Sequence, residues 1–153
     1  MSLMTMASGA SLWRGYEYYK EGHVLSCEKT GASEVNGSVR GSGAVYEVRI
    51  DAEHPRKSSC TCPHVAGRRV ICKHMIALLF AAYPEKAREY YDDVVKYEEE
   101  EERRREELDE KLRRYIDGLS KEELRQELYS LLCDCEETWI FERFVRDRLD
   151  LDW

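Results

Sequence analysis

A chain of 153 residues, 42% hydrophobic and 36% charged, holds apolar material for one compact domain or two small ones and leaves charge over for a solvated, elongated element. Its net charge of −7 argues against strong nonspecific binding to nucleic acid. The longest apolar run, residues 75–83, is far too short to span a bilayer, and residues 1–10 lack the basic n-region of a secretory leader. No membrane partner and a reducing, cytoplasmic setting are therefore expected.

In chain order, residues 1–10 are expected to be a disordered N-terminus, with 1–3 resembling a vector remnant. Ser11 is placed to cap a short helix running to about Glu21, with Leu12, Trp13, Tyr16 and Tyr19 or Lys20 on one face and Gly22 ending it. Three strands are predicted at 23–29, 34–40 and 44–51, separated by the turns Thr30-Gly31-Ala32 and Gly41-Ser42-Gly43. Tyr46, Val48 and Ile50 share one face of the third strand, which marks that face as core. Residues 73–82 are almost continuously apolar and predict a helix packed on the sheet. Packing is also the reading for Trp13, Tyr16 and Tyr46.

Past Tyr83 the pattern changes. Pro84 suits a first helical position, and the periodic run continues to Gly118, some 33 residues or about 50 Å at 1.5 Å per residue. Residues 98–107 contain no apolar side chain. Acid-before-base pairs at i,i+4, namely Glu99 with Arg103, Glu100 with Arg104, Glu101 with Arg105 and Glu107 with Lys111, are expected to hold them helical as a solvated connection. Ser120 with Glu123 forms a capping box, with Leu119 and Leu124 as its hydrophobic staple. A helical hairpin follows over 119–153. Its apolar residues, Leu124, Leu128, Leu131 and Leu132 on the first helix and Trp139, Ile140, Phe141, Phe144, Val145 and Leu149 on the second, are expected to meet each other and Leu108, Leu112, Tyr115 and Ile116. The predicted class is α+β: a small antiparallel sheet with helices at 11–83, a charged connecting helix at 84–118, and the C-terminal hairpin.

The chemistry concentrates in Cys60-Thr61-Cys62 and, nine residues later, Cys72-Lys73-His74. Tetrahedral zinc needs four thiolate or imidazole donors at roughly 2.0–2.3 Å. Residues two apart on an extended chain point to the same side, so Cys60 and Cys62 can bite together if Pro63 turns the strand end. The second pair opens a helix. His64, in the intervening loop, competes with His74 as fourth ligand, and His54 is a weaker competitor. Cys27, Cys133 and Cys135 have no histidine at matching spacing and are expected to be core thiols.

Cys-x-Cys, a variable loop and Cys-x-His, carried by Cys60, Cys62, Cys72 and His74, resemble the SWIM-type zinc finger. Residues 15–24 resemble the segment that precedes such fingers, and residues 75–79 the apolar helix that follows, so the similarity spans about Trp13 to Tyr83. The resemblance implies zinc binding together with DNA binding or protein interaction. Proteins carrying this finger include chromatin-remodelling ATPases, transposases, ubiquitin ligases and bacterial proteins, so the resemblance fixes the metal better than the task.

Four protein ligands leave zinc no position for water or substrate, which makes one structural ion per chain the expectation and argues against a metalloenzyme. No Gly-rich phosphate loop and no nucleophile elbow occurs, and Cys133 and Cys135 lack redox-pair spacing. No enzyme activity and no small-molecule substrate are expected. Arg56, Lys57, Arg68, Arg69 and Lys73 surround the donors as a basic patch, and the stretch before Pro84 carries +3, against −10 for the remainder. Two readings remain open: a protein-interaction adaptor, or a finger that contacts nucleic acid through that patch.

Overall fold

The structure is a computed structural model and describes residues 2–136 and 138–149, without the side chain of Leu149. Its class is α+β. The chain divides into two compact units, Met1–Lys96 and Tyr97–Trp153, each described below by itself.

Residues 2–10, expected to be disordered, are instead part of the first unit. Helix α1, Leu3–Met6, is closed by a capping box between Ser2 and Thr5, and Leu3 is 1% exposed within the core. Residue 3 is thus a packing residue. Helix α2, Gly9–Lys20, starts three residues before the expected span, because Ser8 and not Ser11 is the cap: its Oγ accepts the Ser11 N–H at 3.2 Å. Gly22 ends it at φ +72°, with its N–H bonded to the Tyr19 carbonyl and that of His23 to the Tyr18 carbonyl. That pair of bonds is a Schellman turn, which needs a residue free to enter the left-handed region.

Strands β1, Val24–Lys29, β2, Glu34–Arg40, and β3, Val45–Asp51, follow within a residue of their predicted bounds. A two-residue strand β4, Ser59–Cys60, adds an edge that periodicity cannot reveal at such length. The sheet has the order β1-β2-β3-β4 with every pair antiparallel, and Val48 lies opposite Cys60. Val35 and Val39 of β2 and Val48 and Ile50 of β3 are buried on one face, as the alternation predicts. Cys27 is a correction: on β1 it is exposed and not a core thiol.

Helix α3, Lys73–Ala82, lies against that face and is buried at nearly every position. Two glycines allow the layers to close. A Cβ on Gly15 of α2 would fall 2.5 Å from Ile76 Cβ, and one on Gly37 of β2 would fall 2.3 Å from the Ser26 carbonyl oxygen and 2.5 Å from Leu78 Cδ1. Tyr16 completes this core, stacking on Tyr91 at 5.4 Å and meeting Phe80 edge-on at 6.1 Å.

Helix α4, Pro84–Gly118, runs on after a one-residue break at Tyr83. Among the expected pairs, Glu107 with Lys111 (2.8 Å) and Glu100 with Arg104 (3.4 Å) form, while Arg103 takes Glu100 and Glu107 in place of Glu99. Further pairs join Asp109 to Arg113 and Glu110 to Arg114. In the second unit, α5, Lys121–Asp134, begins at the expected capping box: the Glu123 N–H donates to Ser120 Oγ at 3.3 Å and the Ser120 N–H to Glu123 Oε2 at 2.8 Å. Helix α6, Trp139–Leu149, follows. The expected apolar closure of this lobe is partial, with Leu132, Phe141 and Phe144 half-buried. Val145 is buried, but Leu108, Leu112, Tyr115, Ile116, Leu128, Leu131, Trp139 and Ile140 are exposed, Trp139 by 67%. Cys133 is exposed and Cys135 half-buried, so neither is a core thiol. The side chain of Leu149 and residues 150–153, assigned to the hairpin, lie outside the described residues.

Candidate metal centre

The last strand pairing delivers the first two donors. Cys60 ends β4, and the chain then curls: the Thr61 N–H donates to the Glu47 carbonyl at 3.1 Å, Thr61 Oγ1 accepts the Glu47 N–H at 3.0 Å, and the Cys62 N–H points at Cys60 Sγ at 3.5 Å. Both sulfurs are thereby turned to one side. Asp51 braces the approach to β4. Its buried carboxylate accepts the Glu53 and His54 N–H groups and the Ser33 hydroxyl at 2.8–3.0 Å, and its own N–H donates to Ser58 Oγ. These bonds, the His54 N–H foremost, hold its carboxyl below the usual carboxylate range. His54 is thus engaged with Asp51, at 3.3 Å, and is no metal donor.

The connection from Cys62 to Cys72 is wound as turns. Val65, Ala66 and Arg68 donate to the carbonyls of Cys62, Pro63 and Val65, and Gly67 reverses the chain at φ +69°. Cys72 then stands as the N-cap residue of α3, with His74 in its first turn. That position places a thiolate where the helix dipole favours negative charge.

One donor atom from each of Cys60, Cys62, Cys72 and His74 lies within 4.8 Å of all the others. His74 Nδ1 is 3.8 Å from Cys60 Sγ and 3.9 Å from Cys72 Sγ. Zinc bonds of roughly 2.0–2.3 Å at tetrahedral angles separate nitrogen and sulfur donors by about 3.6 Å. The cluster therefore fits the ion nearly as built. His64 is exposed and stands outside it.

The thiols themselves demand a cation. Hydrogen bonding between the Cys60 and Cys72 sulfurs holds the Cys72 thiol well below its ordinary range, with His74 adding to the effect, and pushes Cys60 up; burial pushes Cys62 up. Three sulfurs in one site cannot all ionise unaided. A bound dication reverses that balance and deprotonates its ligating thiols. The site is that of one structural zinc ion, held by three sulfurs and one imidazole, which would tie β4 to the start of α3 and couple metal binding to folding.

Residues 46–83 match the family model of the SWIM zinc finger, and the four donors lie within that span. The chain thus carries a zinc finger of the SWIM type. No curated protein and no solved structure matches it.

The five cations expected to form a basic patch stand on three segments of the chain. Arg56 and Lys57 sit exposed on the short 3-10 turn Pro55–Lys57, and Arg68 and Arg69 on the turn between the cysteine pairs. Lys73 is half-buried; its ammonium donates to Tyr18 Oη and lies 4.0 Å from the centre of that ring. Among the described residues none of the five pairs with a carboxylate. Sequence reading missed Arg14, which lines a cleft beside the donors from α2. It lies far from the cysteines in the chain, and no local pattern marks it.

Proposed function

We propose that this protein is a non-enzymatic interaction adaptor: the zinc finger unit provides one rigid recognition surface and the acidic helical unit provides a second, for protein partners. The observation that carries this reading is the exposed apolar set of the second unit, Leu108, Leu112, Tyr115, Ile116, Leu128, Leu131, Trp139 and Ile140, amid an excess of acids. Apolar side chains in such number on one small unit mark a surface built to be covered by protein. The acids would repel phosphate. A zinc with four protein donors and no open position supports a structural and not a catalytic task. Free thiols and the want of a helix, among the described residues, that is long and apolar enough to cross a membrane are compatible with work in the cytoplasm.

The second reading, contact with DNA, is favoured by one observation: Arg56, Lys57, Arg68 and Arg69 stand exposed without carboxylate partners. The two separate by salt and nuclease. Affinity capture with the full chain should retain the same protein partners with and without nuclease, and at low and moderate salt. Saturable binding of labelled DNA that weakens steeply over that salt range, with capture abolished by nuclease, would overturn the adaptor reading in favour of the second.

A further inference from the structure

A cleft of about 350 Å3 is lined by the metal donors Cys62, Cys72 and His74 together with Arg14, Lys73 and several hydroxyls, and by no carboxylate. Two helices begin at its edge. In α2, the Ser8 side chain and carbonyl take the N–H groups of Ser11 and Leu12, which leaves those of Gly9 and Ala10 without an acceptor among the described residues. In α3, Cys72 makes no side-chain cap bond, and the N–H groups of Lys73 and His74 are likewise unmatched. Each helix start contributes orphan donors and the positive end of its dipole.

Three side chains add to this. Arg14 is exposed and has no ion pair or hydrogen bond to any described residue. Lys73 is pinned by Tyr18 but keeps donors to spare, since an ammonium carries three. His74 also lines the cleft; it is 4% exposed, and its Nε2 is a buried polar atom without a partner. Buried polar groups ordinarily find partners, so this nitrogen is an unmet polar group on a residue that lines the cleft.

We propose that this cleft is an oxyanion site that takes a phosphate monoester, the chemistry shared by free phosphate and by a phosphorylated side chain of a partner protein. The proposal deepens the adaptor reading and rests on the zinc that holds the cleft wall in place. A tetrahedral dianion offers acceptors in several directions, which suits donors arriving from two helix ends, a guanidinium and an ammonium. The zinc cluster carries net −1, and Arg14 with Lys73 more than offsets it. The volume is at the small end of ligand clefts, enough for a phosphoryl group and the side chain that bears it.

The test is an amide NMR titration of the full, zinc-loaded chain at constant ionic strength, with zinc content read on the same sample by native mass spectrometry. The probes are inorganic phosphate, a phosphoserine peptide, its unphosphorylated twin, sodium chloride and a short single-stranded DNA. Saturable shifts at Gly9, Ala10, Lys73 and His74 are expected with phosphate and with the phosphopeptide, weakened about tenfold or more by Arg14→Gln and unchanged by Arg49→Gln on the sheet. Tighter binding of the phosphopeptide than of phosphate would assign a protein source, and equal binding free phosphate. Shifts equal to those from chloride, insensitivity to Arg14→Gln, or tighter binding of DNA than of the phosphopeptide would overturn the proposal while leaving the metal reading intact. A chain that takes up no zinc would overturn both.

Discussion

Cys72 and Cys133 look alike in the sequence, each one residue from a second cysteine or a histidine, yet their surroundings differ. Cys72 is buried among three other donors, whereas Cys133 is exposed near the end of α5. Cys72→Ser should abolish stoichiometric zinc and the cooperative melting of the first unit. Cys133→Ser should keep the zinc and change stability by no more than about 0.5 kcal/mol, the usual scale for an exposed site. Zinc content and thermal unfolding followed by circular dichroism measure both. Asp51 makes a subtler case. Asp51→Ala removes the acceptor of the Ser33, Glu53 and His54 bonds and should lower the melting temperature of the first unit further than Glu53→Ala, whose side chain is exposed. Spacing made the four donors legible because ligand chemistry is local in two short pairs. It could not expose Asp51, whose partner Ser33 comes 18 residues earlier across the sheet.

Among the elements, α3 was readable to the residue because three signals coincide: donors at its start, an unbroken apolar run and Pro84 beyond its end. Its packing depends on glycines that no pattern distinguishes from turn glycines. Gly15→Ala and Gly37→Ala should each destabilise the first unit by about 1–3 kcal/mol through overpacking, while Gly43→Ala, with nothing within 4 Å of the added methyl, should be close to neutral. Urea unfolding of the three variants checks the contrast. In the second unit the capping box was explicit in Ser120 and Glu123, and Ser120→Ala should lower the stability of α5 by about 1 kcal/mol, seen as faster amide exchange over its first turn. The apolar faces of α5 and α6 were also explicit. What covers them was not, since a 3.6-residue period says that a face is apolar but not which neighbour meets it.

At the level of the molecule, the metal ties long-range pairing to one cooperative event. The sheet and α3 both depend on residues brought together at the cysteine cluster, so stripping zinc with a strong chelator should raise amide exchange throughout residues 46–83. Residues 98–118 should hardly respond, because their helix is supported by i,i+3 and i,i+4 ion pairs of its own. The most direct test of the account is X-ray absorption at the zinc edge on the purified chain, together with its metal stoichiometry. One zinc per chain is predicted, in a shell of three sulfurs near 2.3 Å and one nitrogen near 2.0 Å. A chain with no zinc, with iron in its place, or with a shell that includes oxygen ligands would contradict it.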